Sequence, residues 1–209
     1  MRLFWLIFAA CACAPACAEP VWPNSAVNRW QVEALAQGLN AEILAARSAT
    51  AVLENWCGVH RLAAEAKVFA EQVAGAPVKA PTAEQRQRLG VGPHEPIKYR
   101  RVRLRCGAHV LSEADNFYVP ARLTPEMNRT LETTDAPFGK VVKPLEPYRR
   151  TFFAQTLWSP VQTPGDAPDL NIPANLFEHR AVLYSRDNLP FSEVDEVYQR
   201  DLLDFPPQP

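Results

Sequence analysis

Residues 25–74 are Ala-rich and poor in Gly and Pro, and their apolar positions recur at three- and four-residue steps. Trp30, Leu35, Leu39, Ile43 and Leu44 form such a stripe, which predicts an amphipathic helix. Ser48-Ala49-Thr50 interrupts it, and Ser48 or Thr50 can cap a new helix running into Ala51-Val52-Leu53. The stretch "HRLAAEAKVFAEQV" that follows reads either as helix or as a strand entering a loop. From Gly75 to Pro96 the chain is a linker within the domain, with a short polar helix over Thr82 to Leu89. The period then changes to two. Ile97 to Cys106 alternates as a strand, Gly107-Ala108-His109 turns, and Val110 to Val119 forms the second arm of a hairpin. Thr124 and Pro125 open a short helix, as cap and first helical residue. After the tight Pro137-Phe138-Gly139 connection, Val141 to Trp158 reads as a strand bent at Pro144 and Pro147. Ser159 to Pro173 is a Pro-rich loop. Two strands, Phe177 to Ser185 and Phe191 to Leu203, then flank a turn at Arg186-Asp187-Asn188. Helices followed by hairpin-linked strands predict an α+β fold, with an antiparallel β-sheet and the N-terminal helices packed on it.

Composition narrows the class. Arg2, the apolar run Leu3 to Ala10 and Ala16-Cys17-Ala18 have the layout of a secretory signal peptide, cleaved after Ala18. Lipidation at Cys11 is the alternative reading of the same segment. The expected organisation is thus a signal peptide over residues 1–18 and one domain over residues 19–209, periplasmic or secreted. No later segment is apolar enough to span a bilayer, so no stable membrane insertion is expected. A net charge of −1 argues against a nucleic-acid partner. Beyond the signal only Cys57 and Cys106 remain. They are either a disulfide, which an oxidising compartment permits, or two buried thiols. No pair of cysteines and histidines has metal-ligand spacing, so no metal is expected.

The candidate chemistry lies in the strands. Alternation puts Arg101, Arg103 and Arg105 on one face, and Val102, Leu104 and Cys106 on the other. A guanidinium there can grip a carboxylate with two parallel hydrogen bonds, or it can belong to a solvated sheet face. Asp195 and Glu196 are adjacent in the last strand and point to opposite faces. Phe117-Tyr118 and Phe152-Phe153 read as core. No Ser/His/Asp or Cys/His signature and no Gly-rich phosphate loop is present.

Several short motifs occur in order: Ser48-Ala49-Thr50, Arg101 with Leu104-x-Cys106, Val119-Pro120, Pro137-Phe138-Gly139, and Pro190 with Asp195. In this order they resemble the chorismate pyruvate-lyase family and its relatives with the UTRA ligand-binding fold, over residues 39–203. The final "PFSEVDEVYQRD" also resembles the last strand of UTRA sensor domains, which bind small effectors without chemistry. The resemblance implies a pocket for a small aromatic carboxylate and, in the lyases, elimination of pyruvate from chorismate to give a hydroxybenzoate, a reaction that needs no metal or organic cofactor. It implies Arg101 as the carboxylate-holding residue, with ligand contacts from the backbone amides of Ala49 and Phe138. The family's acidic residue falls on Asp195, or on Glu196 if the strand carries a one-residue bulge. A second family arginine falls on Asn116, which removes a positive charge; Arg103, Arg122 or another cation would have to replace it. The alternative expectation is a non-catalytic exported binding protein using the same pocket.

Overall fold

A computed structural model describes residues 21–207. The expected signal peptide therefore lies outside the described residues. α1 (Ala26–Ala45) starts at Ser25, whose side chain accepts from the Asn28 amide. Its buried positions are Val32, Ala36, Leu39 and Ile43, so the inward stripe is rotated from the expected one and Trp30 is exposed. α2 (Ala49–Val59) is capped by Ser48, and its Cys57 forms a disulfide with Cys106. Closing the 49-residue separation contributes about 4 kcal/mol by restricting the unfolded chain. The ambiguous stretch after α2 is a short strand, β1 (Val68–Gln72), and α3 (Ala83–Leu89) carries a Thr82/Gln85 capping box.

The hairpin β2 (Lys98–Cys106) and β3 (His109–Tyr118) turns at Gly107, whose φ of +58° suits glycine. A β-carbon there would also lie 2.8 Å from that of Ala63. α4 (Pro125–Thr133) follows Thr124 as expected. The bent strand expected from Val141 does not form. Instead α5 (Phe138–Val141) and a 3-10 turn over Lys143–Leu145 lead into β4 (Tyr148–Thr156). Pro144 and Pro147, read as bends within a strand, lie in the 3-10 turn and just before β4. β5 (Asn175–Tyr184) and β6 (Pro190–Gln199) complete the fold, and the last expected strand residues form a 3-10 turn, Arg200–Leu203.

All strands belong to one antiparallel sheet of order β1-β2-β3-β6-β5-β4. The hairpins β2–β3 and β5–β6 are local, whereas the central β3–β6 pairing joins the two halves of the chain. One face is covered by α1 and α2, with Leu39, Ile43, Leu53 and Trp56 packed on Val102, Leu104, Ala114 and Tyr198. At one end α4 and α5 add Met127, Leu131, Phe138 and Val142 against Tyr118. On the opposite face α3 covers one end only, through Leu89 on Val119 and Val182 and through a two-pronged Arg88–Glu193 pair.

Candidate functional site

A pocket lies between the helix-covered face and the start of α2. Its walls are Val102, Leu104, Ala114, Val194, Leu183 and Phe138, and its mouth is formed by Ser48, Ala49, Thr50 and Gly139. The chain needs Gly139 here, because a β-carbon would sit 3.1 Å from Thr50 Oγ1 and 3.3 Å from Ser48 Oγ. The first amides of α2 have no carbonyl four residues back to bind, so the positive end of this helix meets the pocket.

Polar groups gather at two ends. At one end, Asn116 is buried and its Oδ1 accepts from Ser192 Oγ at 3.0 Å, leaving the amide nitrogen free to donate. Directly across the β2–β3 ladder from Asn116 is Arg100, only 7% exposed, which shares the inward face of β2 but does not itself line the pocket. None of its three guanidinium nitrogens has a hydrogen-bond partner among the described residues. Burial pulls its pKa down from the ordinary arginine value. At the other end, Arg149 of β4 and Glu196 of β6 line the pocket as a buried ion pair, Nη2 to Oε2 at 2.9 Å. Arg149 Nε has no acceptor among the described residues, so the guanidinium rests on Glu196 through Nη2 alone. Tyr198 donates to Glu196 Oε2 at 3.2 Å. Burial opposes the charge on Arg149, but Glu196 and Tyr198 outweigh it and hold the guanidinium above its usual pKa.

Of the residues expected from sequence, Ala49, Asn116, Phe138 and Glu196 meet in this pocket. Arg101 and Asp195 do not: the shared site expected for all six is corrected here. Both line a groove on the opposite face of the sheet, with Glu113, Asp115, Glu178 and Arg180. The cause is strand alternation. Val102 and Leu104 face the helices, so Arg100 shares their face and Arg101 faces away. Arg101 is paired with Glu113 at 3.0 Å, and Arg103 holds the same carboxylate at 2.8 Å. Burial raises Asp195 to about 6, against Arg180, with Glu178 and Asp115 adding to the rise. The offered replacements for the missing family arginine also lie elsewhere. Arg103 is on the outer face, and Arg122 clamps the carbonyls of Leu89, Gly90 and Pro190. Sequence reading missed Arg100 and Arg149. The signal for Arg100 was available, since a pocket between sheet and helices must lie on the Val102–Leu104 face. Nothing in the pattern separates Arg149 from its exposed neighbour Arg150.

The chain is 46% identical over 195 residues to the uncharacterized protein y4mC of Sinorhizobium fredii (strain NBRC 101917 / NGR234), covering 88% of this chain and 82% of that protein. The chain belongs to the y4mC family. No family model matches it. Among solved structures, PhnF from Mycobacterium smegmatis aligns over 93% of this chain and 94% of its own, with a TM-score of 0.50 at 14% identity. The effector domain of PhnF aligns over 65% of this chain and 82% of its own, with a TM-score of 0.44 and 15% identity. The y4mC family member described here thus has the α+β, antiparallel-sheet fold of UTRA-type domains, the fold that chorismate lyase-like proteins share.

Proposed function

We propose that this protein binds a small aromatic carboxylic acid in the helix-side pocket, with Arg100 and Asn116 holding the carboxylate. The observation that carries this reading is the buried, unpartnered guanidinium of Arg100 opposite the free amide of Asn116. An uncompensated buried charge costs several kcal/mol, and an anion arriving between the sheet and the helices removes that cost. The apolar walls suit a planar ring, and the Arg149–Glu196–Tyr198 end suits a hydroxyl or a second acid. Arg100 stands as the cation that compensates for Asn116 where the lyases have arginine.

A second reading is pyruvate elimination from chorismate, favoured by Glu196, an acid that lines the pocket beside Arg149. Loss of the enolpyruvyl group aromatises the ring, so the protein would need only to position both carboxylates and assist proton transfer. The same pocket serves both readings, and binding without turnover is the simpler. Export fits the Cys57–Cys106 disulfide, which an oxidising compartment sustains. Intact mass of the exported protein should begin at Glu19; lipid on Cys11 would redirect the reading to a lipoprotein.

The test is incubation with 4-hydroxybenzoate and, separately, with chorismate, following heat and pyruvate release. Saturable uptake of the hydroxybenzoate without pyruvate supports the binder. Pyruvate formation moves the protein to the lyases. Absence of any heat with either acid refutes the pocket assignment.

A further inference from the structure

A line of polar groups runs along α1 and ends at the sheet. Glu33, Gln37 and Asn40 are spaced four and three residues apart, so they stack on one side of the helix. Gln37 Nε2 donates to Glu33 Oε1 at 3.2 Å, and Asn40 Nδ2 donates to Gln37 Oε1 at 3.3 Å. Asn40 Oδ1 lies 2.6 Å from Nε2 of His179. The outer end sets the direction. A carboxylate only accepts, so Gln37 turns its amide nitrogen to Glu33 and its oxygen to Asn40. Asn40 then gives its nitrogen to Gln37 and presents oxygen to His179. That oxygen needs a proton from Nε2, which leaves His179 Nδ1 with a bare lone pair. Ser159 Oγ, 2.6 Å from Glu33 Oε2, fixes the outer end.

The inner end is enclosed. His179 is 0% exposed, and its Nδ1 has no partner among the described residues. Glu196 is its cross-strand neighbour, and its ring lies 5.2 Å from that of Tyr198. Burial, and then the charge of Arg149, push the imidazole down to about 4, so it is neutral. Arg149 reaches this strand pair through its ion pair with Glu196, the cross-strand neighbour of His179. Arg149 in turn has Nε buried without an acceptor among the described residues, while Nη2 faces Glu196 Oε2. A bare acceptor and an unsatisfied donor thus sit on residues that both neighbour Glu196.

We propose that Glu33, Gln37 and Asn40 lock His179 as its Nε2–H tautomer, so that Nδ1 is the acceptor that orients the Arg149 guanidinium at the deep end of the pocket. The inference rests on the ligand-site reading above, and His179 is a positioning residue, since it does not line the pocket. In this proposal a bridging water or a small turn of the guanidinium would join Nδ1 to Arg149 Nε–H, two groups that make no hydrogen bond to each other in the structure. The other tautomer would present a proton to that donor and leave Arg149 oriented by Glu196 alone.

Nitrogen-15 spectra of the imidazole and guanidinium groups of the full chain test this without ligand. The wild type should show His179 Nδ1 unprotonated. Glu33→Gln removes the obligate acceptor at the partly exposed end of the chain, so the fold is kept while the amides can reverse. It should give a second set of His179 signals carrying Nδ1–H, move the Arg149 Nε–H resonance, and weaken 4-hydroxybenzoate binding about 3- to 10-fold. Adding Asn40→Asp restores an acceptor at His179 directly, and should recover the single tautomer and the affinity. A wild-type His179 protonated on Nδ1, or an Arg149 resonance unmoved in Glu33→Gln, overturns the proposal. A locked tautomer with a responsive Arg149, in a protein that takes up no 4-hydroxybenzoate, supports the lock and refutes the ligand reading.

Discussion

The two faces of the sheet carry arginines from the same strand and treat them in opposite ways. On the outer face Arg101 and Arg103 share Glu113, Arg105 meets Glu71, and Arg180 bridges Glu178 and Asp195, all partly in solvent. On the helix face, among the described residues, Arg100 is buried without a hydrogen-bond partner, and Arg149 is buried with Glu196 as its one carboxylate. Water can solvate an imperfect pair on the first face and cannot do so on the second. Charge that is tolerated outside as a solvated network must therefore be compensated inside, by a buried partner or by a ligand.

The largest expected difference between the faces is in stability. Arg149→Met leaves Glu196 buried and unpaired, and should cost about 3–5 kcal/mol in urea unfolding. The double variant with Glu196→Gln should recover much of it. Arg103→Ala, on the solvated face, should cost no more than about 1 kcal/mol. Similar losses at the two positions would erase the contrast.

Acid should sharpen it next. His179 titrates at about 4 in the folded protein and near 6.5 when unfolded. Below pH 6.5 the unfolded chain takes up a proton that the folded one refuses, so stability falls as pH drops from 6.5 to 4, by about 3 kcal/mol in all. His179→Asn should flatten that part of the profile. Asp195 on the outer face works in the opposite sense, being raised to about 6 from 3.8. Its contribution is full below 3.8 and is lost as pH rises through 6. Asp195→Asn should therefore be mildly stabilising at pH 7, with little effect at pH 3.5; solvent access keeps this effect the smallest of the set.

The same contrast shows what the sequence could and could not convey. The switch from a 3.6 to a 2.0 period between Leu44 and Ile97 was legible, as were a cap at Ser48 or Thr50, the cap at Thr124 and the turn at Gly107, because each depends on local chemistry. Alternation within β2 was legible too, but which face holds a pocket is decided by α2 and α5, more than thirty residues away on either side. Motif matching put the carboxylate holder at Arg101, one residue off the face that Val102 and Leu104 define. Asp195 and Glu196 show the same one-residue ambiguity, resolved by the register of β6 against β3 and β5. Arg149 was hidden because Val141 to Trp158 read as a single bent strand, whereas the α5 and 3-10 turns reset its phase.

The central claim is that Arg100, and not Arg101, is the arginine that meets a ligand, and calorimetric titration of 4-hydroxybenzoate into the wild type, Arg100→Met and Arg101→Ala tests it most directly. Arg100→Met should weaken binding by about 2–5 kcal/mol, a factor of about 30 to several thousand. It should also raise the stability of the ligand-free protein, because an unpaired buried charge is gone. Arg101→Ala should leave both nearly unchanged. A large loss of affinity in Arg101→Ala with Arg100→Met intact would contradict the account and return the site to the outer face.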